Sequence, residues 1–335
     1  MIIGNVMYHN IDSVKKTPQG LRVCRFPEEV MDKVNPNARY MANYACNTEI
    51  RFVTDAKTCF VSLLSEEGNC KVDIFYGDYA IGERILETGK ITRLNLTVPD
   101  PVDGLNEEFY KNNKFKFGVW RLHFHNSVLT VCDIDTLGHS IRPPKAEELP
   151  EKTMLSYGSS ISHGSGTVHN PLSYVNTLAN LLGVDCLAKG VGGSCFAEKE
   201  LADSFAARSD WDFALLEIGV NMIGSSLTID EFKDRFEYMA DKMYQTGKKL
   251  VFVTIFPWSA LYNDNCTKEQ ERYRAFNDII RNKYSEFEKK QVLLIEGTDV
   301  LTSTEMLSAD GIHPSSEGHV KMGFNLYEKV KEFLK

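Results

Sequence analysis

Hydrophobic and polar residues alternate with a period of two over most of positions 1–142. Runs such as "EIRFVTDA", "CFVSLLS" and "CKVDIFYGD" are rich in Val, Ile, Phe, Tyr and Thr and are bounded by Gly, Asp, Asn or Pro. This pattern is typical of antiparallel strands joined by short turns, because successive side chains of a strand point to opposite faces. We therefore predict an antiparallel β-sandwich, jelly-roll-like in type, over residues 1–142.

The pattern changes after a short segment at residues 143–152, "PPKAEELPEK", whose two adjacent prolines and mixed charges indicate a linker. From residue 153 onward, short buried strands alternate with amphipathic helices. The predicted strands are "TMLSY", "VDCLA", "DFALLEIG", "KKLVFVTIF" and "QVLLIEG". This alternation predicts a three-layer α/β/α domain built on a parallel sheet over residues 153–335.

Two helices of this second part carry recognisable end signals. In "NPLSYVNTLANLLG" we expect Asn170 to be the N-cap and Gly183 to end the helix. In the longer helix "TIDEFKDRFEYMADKMYQTG", the Thr228-x-x-Glu231 spacing predicts a capping box.

Charge and composition exclude several function classes. The 335-residue chain has a formal net charge of −8 and no Lys/Arg cluster, so nothing in it favours nucleic acid or anionic lipid. It lacks a stretch of about 18 apolar residues and an N-terminal export signal, so we expect a cytoplasmic protein that does not bind membranes. The eight cysteines form no C-x-x-C pair, which excludes zinc-ribbon and thioredoxin-like sites.

Unusual polar and glycine-rich segments follow the predicted parallel strands. They are "GSSISHG", "KGVGGSCF", "GVNMIG" and "PWSALYN", and a fifth, "DGIHPSSEGH", precedes the last helix. In open parallel sheets, ligands bind beyond the carboxyl ends of the strands. We therefore expect these loops to converge on one site.

The first loop does not fit the common glycine-rich signatures. It lacks the lysine of a phosphate-binding P-loop, and the second loop lacks the last glycine of a dinucleotide fingerprint. The nucleophile-elbow pattern G-x-S-x-G fails because Ser162 stands at its last position. These comparisons leave a structural serine-rich turn and a nucleophile site as the open interpretations.

Four fragments of the chain resemble, in order, the sequence blocks of the SGNH hydrolases, also called the GDSL esterase/lipase family. They are Gly158-Ser159-Ser160-Ile161, Gly193, Gly219-Val220-Asn221 and Asp310-Gly311-Ile312-His313. The resemblance implies a flavodoxin-like hydrolase domain. The β-rich first part resembles the sandwich that precedes this domain in some members, among them carbohydrate esterases and a group of acyltransferases. Two residues depart from the family pattern: Ser159 replaces the usual acidic residue, and Ala188 replaces an asparagine that often braces the second block.

The resemblance implies a role for each matching residue. Ser160 corresponds to the nucleophile, His313 to the general base and acid, and Asp310 to the residue that orients the imidazole. The backbone N–H groups of Ser160 and Gly193 and the side-chain amide of Asn221 correspond to the oxyanion hole. This chemistry needs no metal and no cofactor.

Further residues of the same loops are candidates for contact with substrate. They are His163, His169, Met222, Trp258 and Tyr262. His123 and His125 stand two apart in a predicted strand and share one face. We interpret that pair as structural packing, because no third metal ligand is evident.

The sequence thus predicts a serine ester hydrolase that acts through an acyl-enzyme and removes a short acyl group, such as acetyl, from a carbohydrate or small metabolite. Two alternatives stay open: an acyltransferase that uses the same triad, and a carbohydrate-binding protein without catalytic activity. The expected partner is a small-molecule or oligosaccharide ester. The sequence does not determine the oligomeric state, and a homo-oligomer is compatible with it.

Overall fold

A computed structural model describes residues 1–335, the side chain of Glu107 excepted. The chain forms two compact units. The first comprises Met1–Glu28 and Ala42–Glu151, and the second comprises Glu29–Met41 and Lys152–Lys335. The division therefore differs from the predicted domains 1–142 and 153–335, because the segment Glu29–Met41 belongs to the second unit. This segment holds most of helix α1 (Glu28–Met31) and all of helix α2 (Pro36–Met41).

The first unit consists of two antiparallel sheets and a short helix. Its elements are β1 (Ile2–Ile3), β2 (Val6–His9), β3 (Ser13–Thr17), β4 (Gly20–Cys24), β5 (Thr48–Thr54), β6 (Thr58–Glu67), β7 (Cys70–Tyr76), β8 (Tyr79–Leu86), β9 (Ile91–Thr97), helix α3 (Glu107–Tyr110), β10 (Val119–Phe124), β11 (Val128–Asp135) and β12 (Ile141–Arg142). One sheet has the order β1-β2-β5-β10-β7-β8, with β12 also paired to β5, and the other has the order β3-β4-β11-β6-β9.

The two sheets of the first unit share one hydrophobic core. Ile50 and Phe52 of β5 and Trp120 of β10 come from the larger sheet, and Val61 and Leu63 of β6 come from the smaller one. All five side chains are completely buried. Their alternation with polar neighbours is the period-two pattern of the sequence, so the predicted sandwich is confirmed.

The two histidines of β10 and its following turn are buried in the first unit. His123 lies with Nδ1 3.1 Å from Oε1 of Glu49 and with Nε2 3.3 Å from Oδ1 of Asn47. His125 lies with Nε2 2.5 Å from Oδ2 of Asp73. Each imidazole is therefore held by acidic or amide side chains of the same unit.

The second unit is built on one parallel sheet. Its elements after α2 are β13 (Thr153–Gly158), α4 (Ser160–His163), α5 (Tyr174–Leu182), β14 (Asp185–Ala188), α6 (Lys199–Ala207), β15 (Phe213–Glu217), α7 (Val220–Ile223), α8 (Ile229–Tyr244), β16 (Lys249–Val253), α9 (Thr267–Ser285), β17 (Val292–Ile295), α10 (Gly297–Val300) and α11 (Ser316–Val330). The strand order is β14-β13-β15-β16-β17, and every pair is parallel. The predicted three-layer α/β/α class is confirmed.

The strand order determines which loops become neighbours. Strand β13 lies between β14 and β15, with Ser156 opposite Ala188 and Gly158 opposite Glu217. The segments that follow these three strands therefore leave the sheet at the same edge, side by side. They contain Ser160, Gly193 and Asn221.

The helix ends agree with the sequence prediction in part. Thr228 and Glu231 form the predicted capping box of α8, with Thr228 Oγ1 accepting from the N–H of Glu231 at 3.1 Å. Gly183 ends α5 with φ +67° as expected. Asn170, however, begins a single 3₁₀ turn, and Ser173 is the N-cap of α5, so that prediction was wrong. The backbone breaks at Ser173, whose ψ of 151° is not helical, so the 3₁₀ turn does not continue into α5.

Helix α6 is an element that the hydrophobic pattern does not single out. Its buried residues are Leu201, Ala202 and Phe205, a narrow stripe within nine residues. So short a stripe is a weak helical signal. None of the helices among the described residues has the length and apolar character of a membrane-crossing segment. The cytoplasmic location stays a prediction.

Candidate active site

Ser160 is the first residue of the short helix α4, directly after β13. Ser159 is the N-cap and accepts a hydrogen bond from the N–H of Ile161 at 3.1 Å. The helix has a single turn because Gly164 follows it with φ +95°, a left-handed conformation that glycine adopts without strain. The turn leaves Ser160 half-buried while its neighbours Ser159 and Ile161 are buried. Of the three serines in "GSSIS", Ser160 is therefore the one that is not buried.

Asp310 and His313 lie in a compact loop before α11. The N–H of Ser308 donates to the carbonyl of His313 at 2.7 Å, and Leu307 pairs with Pro314 across the base of the loop. Gly311 makes the reversal with φ +71°. The loop thereby folds His313 back over Asp310.

The structure brings the three predicted residues into one hydrogen-bonded chain. Ser160 Oγ lies 2.7 Å from Nε2 of His313. On the other side of the ring, His313 Nδ1 lies 2.7 Å from Oδ2 of Asp310. Ser160 and His313 are 153 residues apart in the sequence, and the tertiary fold brings them together. The imidazole therefore links the serine hydroxyl to a carboxylate in the geometry of a catalytic relay.

The other carboxylate oxygen of Asp310, Oδ1, accepts three hydrogen bonds. Oδ1 accepts from the N–H groups of Ile312 and His313, both at 2.9 Å, and from the hydroxyl of Ser308 at 3.0 Å. Partial burial alone would raise the pKa of Asp310, but these bonds and the one from His313 outweigh it and hold the pKa below its ordinary value. The carboxylate is thus ionised wherever His313 can act as a base.

The loop after β14 lies against Ser160. A Cβ built on Gly192 would lie 3.7 Å from the Cβ of Ser160 and 3.2 Å from Nδ1 of His163. The next residue, Gly193, has φ +68° and is exposed, and a Cβ built on it would lie 3.5 Å from Nδ2 of Asn37. Glycine at this position allows a close approach of a ligand to the backbone.

Asn221 is tied to the same loop. Its Oδ1 accepts the N–H of Cys195 at 3.1 Å, which leaves Nδ2 as the end of the amide that can donate to a ligand. Asn221 is the second residue of α7, and Gly219 before it has φ +136°. A Cβ at Gly219 would come within 2.5 Å of Cδ1 of Ile255, so only glycine fits this turn.

The segment Glu29–Met41 supplies a brace that the sequence does not reveal. The Asn37 amide donates to Ser194 Oγ and, at 3.4 Å, to the carbonyl of Gly192. The Asn35 amide donates to the carbonyl of Ser194 at 3.4 Å and to Oε1 of Glu198 at 2.5 Å. These contacts support the loop that carries Gly193, where Ala188 has no polar side chain. No short-range pattern links positions 35 and 37 to position 193.

The residues predicted to contact substrate lie in different environments. His163 is buried on α4, and His169 is half-buried before the 3₁₀ turn. Met222 is completely buried, so its side chain has no surface to offer a substrate. Trp258 is 7% exposed and packs edge-to-face on Tyr273, whereas Tyr262 is 70% exposed. Trp258 is therefore mainly a core residue, and its role at substrate stays a prediction.

Comparison with known proteins supports the same interpretation of the second unit. Residues 156–321 match the profile of the GDSL-like Lipase/Acylhydrolase family. A curated relative, the "Multidomain esterase" of Ruminococcus flavefaciens, is 28% identical over 134 residues. The match covers 37% of this chain and 16% of that protein. The similarity thus concerns a small part of a much longer relative.

Solved structures resemble the whole chain. The salicylyl-acyltransferase SsfX3 from a tetracycline biosynthetic pathway superposes with a TM-score of 0.77 at 12% identity, over 98% of this chain and 94% of that one. A family two carbohydrate esterase from Clostridium thermocellum, solved with cellohexaose, superposes with a TM-score of 0.61 at 12% identity, over 98% and 99% of the two chains. At these identities the likeness establishes the fold.

Proposed function

Since the chain belongs, through residues 156–321, to the GDSL-like lipase/acylhydrolase family, we propose that it is a serine ester hydrolase that works through an acyl-enzyme. The observation that carries the proposal is the hydrogen-bonded chain from Ser160 through His313 to Asp310. A serine hydroxyl is a weak nucleophile unless a neighbouring base removes its proton, and this chain provides the base and the group that orients it.

The proposed reaction has two halves. Ser160 Oγ attacks the ester carbonyl carbon while His313 Nε2 takes its proton, and the protonated imidazole then gives that proton to the leaving alcohol. In the second half, His313 deprotonates a water that attacks the acyl-enzyme, and the proton returns to Ser160 as the carboxylic acid leaves. Asp310 holds Nδ1 of the ring and stabilises the imidazolium in both halves.

The tetrahedral intermediates require donors for their oxyanion. We propose the N–H of Ser160, the N–H of Gly193 and Nδ2 of Asn221 for this task. They follow three adjacent strands and lie at one edge of the sheet, and the Asn221 amide is oriented by the N–H of Cys195. Donors that are already oriented need no reorganisation when the charge develops.

Replacing Asn221 by alanine should lower kcat about 100- to 1,000-fold, equivalent to about 2.7–4 kcal/mol of barrier, because one oxyanion donor is lost. The measurement is steady-state hydrolysis of a chromogenic acetyl ester. Asn221→Asp is the matched control, since it keeps an acceptor for the Cys195 N–H but has no donor. An Asn221→Asp variant with wild-type kcat would show that the residue only supports the loop.

For the substrate, we propose a short-chain, O-acetylated carbohydrate or small metabolite. Support comes from the resemblance of the whole chain to a carbohydrate esterase and from the curated relative that is named an esterase. An acyltransferase is the second candidate, because the fold also matches that of a salicylyl-acyltransferase. The third candidate, a carbohydrate-binding protein without activity, is opposed by the presence of all three groups of the triad in hydrogen-bonding distance.

One experiment separates these candidates. Acetyl, butyryl and octanoyl esters of one alcohol and a panel of acetylated sugars are offered in water, with and without a competing alcohol. Fastest release of acetate from sugars supports the proposal, whereas preferential formation of a new ester supports an acyltransferase. Absence of turnover together with absence of labelling of Ser160 by a serine-directed phosphonate would overturn the enzyme assignment.

A further inference from the structure

The carboxyl group of Glu217 lies completely buried beneath the turn that carries Ser160. Glu217 is the last residue of β15, next to Gly158 of β13. Its Oε2 accepts three hydrogen bonds: from the N–H of Ser159 at 2.9 Å, from the hydroxyl of Ser159 at 2.8 Å and from the hydroxyl of Ser162 at 3.1 Å. All three donors flank the nucleophile.

The carboxyl group of Glu217 has room beneath the turn because residue 158 has no side chain. A Cβ at Gly158 would come within 2.7 Å of Oε2 of Glu217 and 2.3 Å of Oγ of Ser162. Glycine at position 158 therefore permits the close approach of the carboxyl group. This is a physical reason for the first residue of the "GSSI" fragment.

The other oxygen of Glu217 has no such support. Oε1 is buried and has no hydrogen-bond partner among the described residues. Burial raises the pKa of Glu217 to about 7, although the hydrogen bonds from Ser159 and Ser162 act in the opposite direction. The carboxyl group thus changes charge in the range where an imidazole also titrates.

The titratable groups around Glu217 lie on three elements. Tyr174 of α5 contacts Ser162, with the two hydroxyl oxygens 2.5 Å apart, and Cys195 follows β14 with Sγ 4.0 Å from the Glu217 carbonyl. Burial raises the pKa of both groups well above its ordinary value, so both are neutral near pH 7. Helix α4 contributes His163, whose ring lies against Gly192.

We propose that Glu217 is a positioning residue for the nucleophile. Its carboxylate accepts hydrogen bonds from the N–H and hydroxyl of Ser159 and from the hydroxyl of Ser162. These bonds fix the turn, so that the Oγ and N–H of Ser160 keep their positions relative to His313. The proposal rests on the function assigned above. Glu217 acts through the turn and does not contact the reacting atoms.

Protonation of Glu217 weakens this anchor. The ionised carboxylate accepts three bonds, and bonds to a charged acceptor are about twice as strong as neutral ones. A proton on Oε2 would displace one of its three donors, and a proton on Oε1 would create a buried O–H without an acceptor. The turn is therefore held best when Glu217 is ionised.

The test compares Glu217→Gln with the wild type in the pH dependence of kcat/KM. Glutamine keeps an acceptor for the serine donors but does not titrate. In the wild type, kcat/KM should fall by more than tenfold per pH unit as the pH is lowered through the range where Glu217 gains its proton, because so steep a slope requires a second group in addition to the general base. In Glu217→Gln the slope should be about tenfold per unit, as one group requires.

Two further variants complete the design. Glu217→Ala removes the acceptor and should lower kcat about tenfold or more at every pH with little change in KM, since substrate binding is not affected. Glu296→Gln is the matched control: Glu296 follows β17, the edge strand of the same sheet, and binds Arg281 and Thr254, away from the serine turn. It should keep the wild-type slope.

The results separate this proposal from the proposed function. A wild-type enzyme that hydrolyses esters while Glu217→Gln keeps the steep slope, or while a folded Glu217→Ala keeps full kcat, overturns the positioning role alone. A wild-type protein with no turnover and no labelling of Ser160 overturns both. Near-ultraviolet circular dichroism of each variant checks its fold, and Glu217→Gln remains informative if Glu217→Ala fails to fold.

Thermal stability provides a second readout of the same group. Because the folded state raises the pKa of Glu217 from 4.5 to about 7, the folded state binds the proton more tightly than the unfolded state in this interval. Wild-type stability therefore falls as the pH rises through it. The melting temperature of Glu217→Gln should rise relative to that of the wild type over the same interval, whereas Glu296→Gln should show no such gain. A constant difference between Glu217→Gln and the wild type would contradict a titrating Glu217.

Discussion

Ser160→Ala should abolish ester hydrolysis, with a loss in kcat on the order of 10⁶-fold, because no other group of the site can form the acyl-enzyme. Only the hydrogen bond to His313 is lost from the folded protein, and Ser159, not Ser160, caps helix α4. The fold should therefore persist. Hydrolysis of a chromogenic acetyl ester and mass-spectrometric detection of a phosphonate adduct measure the effect.

The control for this prediction is Ser165→Ala, a serine five positions further along the same loop. It should keep turnover within a few fold and should still be labelled at Ser160. If Ser160→Ala retained turnover, or if the adduct appeared on Ser159, Ser160 would not be the nucleophile.

His313→Ala should reduce kcat nearly as far as Ser160→Ala, since the serine hydroxyl then has no base and the leaving alcohol has no acid. The double variant Ser160→Ala/His313→Ala should be no slower than either single variant, because residues that act as a unit show strongly non-additive effects. Single-turnover and steady-state rates of the three variants measure this. Additive losses would indicate that the two residues act independently.

His139→Ala is the control for the histidine. His139 forms an exposed pair with Asp55, with Nδ1 3.5 Å from Oδ1, in the first unit. The variant removes the same ring from a histidine–aspartate pair that lies outside the proposed site, and should leave kcat unchanged. Loss of activity in this variant would show that the effect of His313→Ala is not specific to the proposed relay.

Much of the fold follows from the spacing of hydrophobic residues. Each of the five parallel strands falls on one of the apolar runs "TMLSY", "VDCLA", "DFALLEIG", "KKLVFVTIF" and "QVLLIEG", and only β13 extends beyond its run, by Gly158. Local rules also located the capping box at Thr228, because both of its partners lie within one helical turn. They misplaced the start of α5, where Asn170 and Ser173 are both good caps and only packing separates the 3₁₀ turn from the helix.

The sequence predicts only those residues of the proposed site that stand in recognisable motifs. Ser160, Asp310 and His313 stand in short blocks that can be recognised locally, and the fold joins them. Met222 stands in such a block as well, but its complete burial was not visible from the pattern. A loop position alone does not determine whether a side chain points to the core or to the solvent.

By itself, then, the sequence determined the two kinds of architecture and predicted the serine, the histidine and its carboxylate partner of the proposed relay, because each stands in a pattern that spans one turn or one strand. Only the tertiary structure decided the roles of Asn35, Asn37 and Glu217. Asn35 and Asn37 reach a loop more than 150 positions away, and Glu217 meets Ser159 across two neighbouring strands. Their hydrogen bonds depend on burial and distance, and those quantities exist only once the chain has folded.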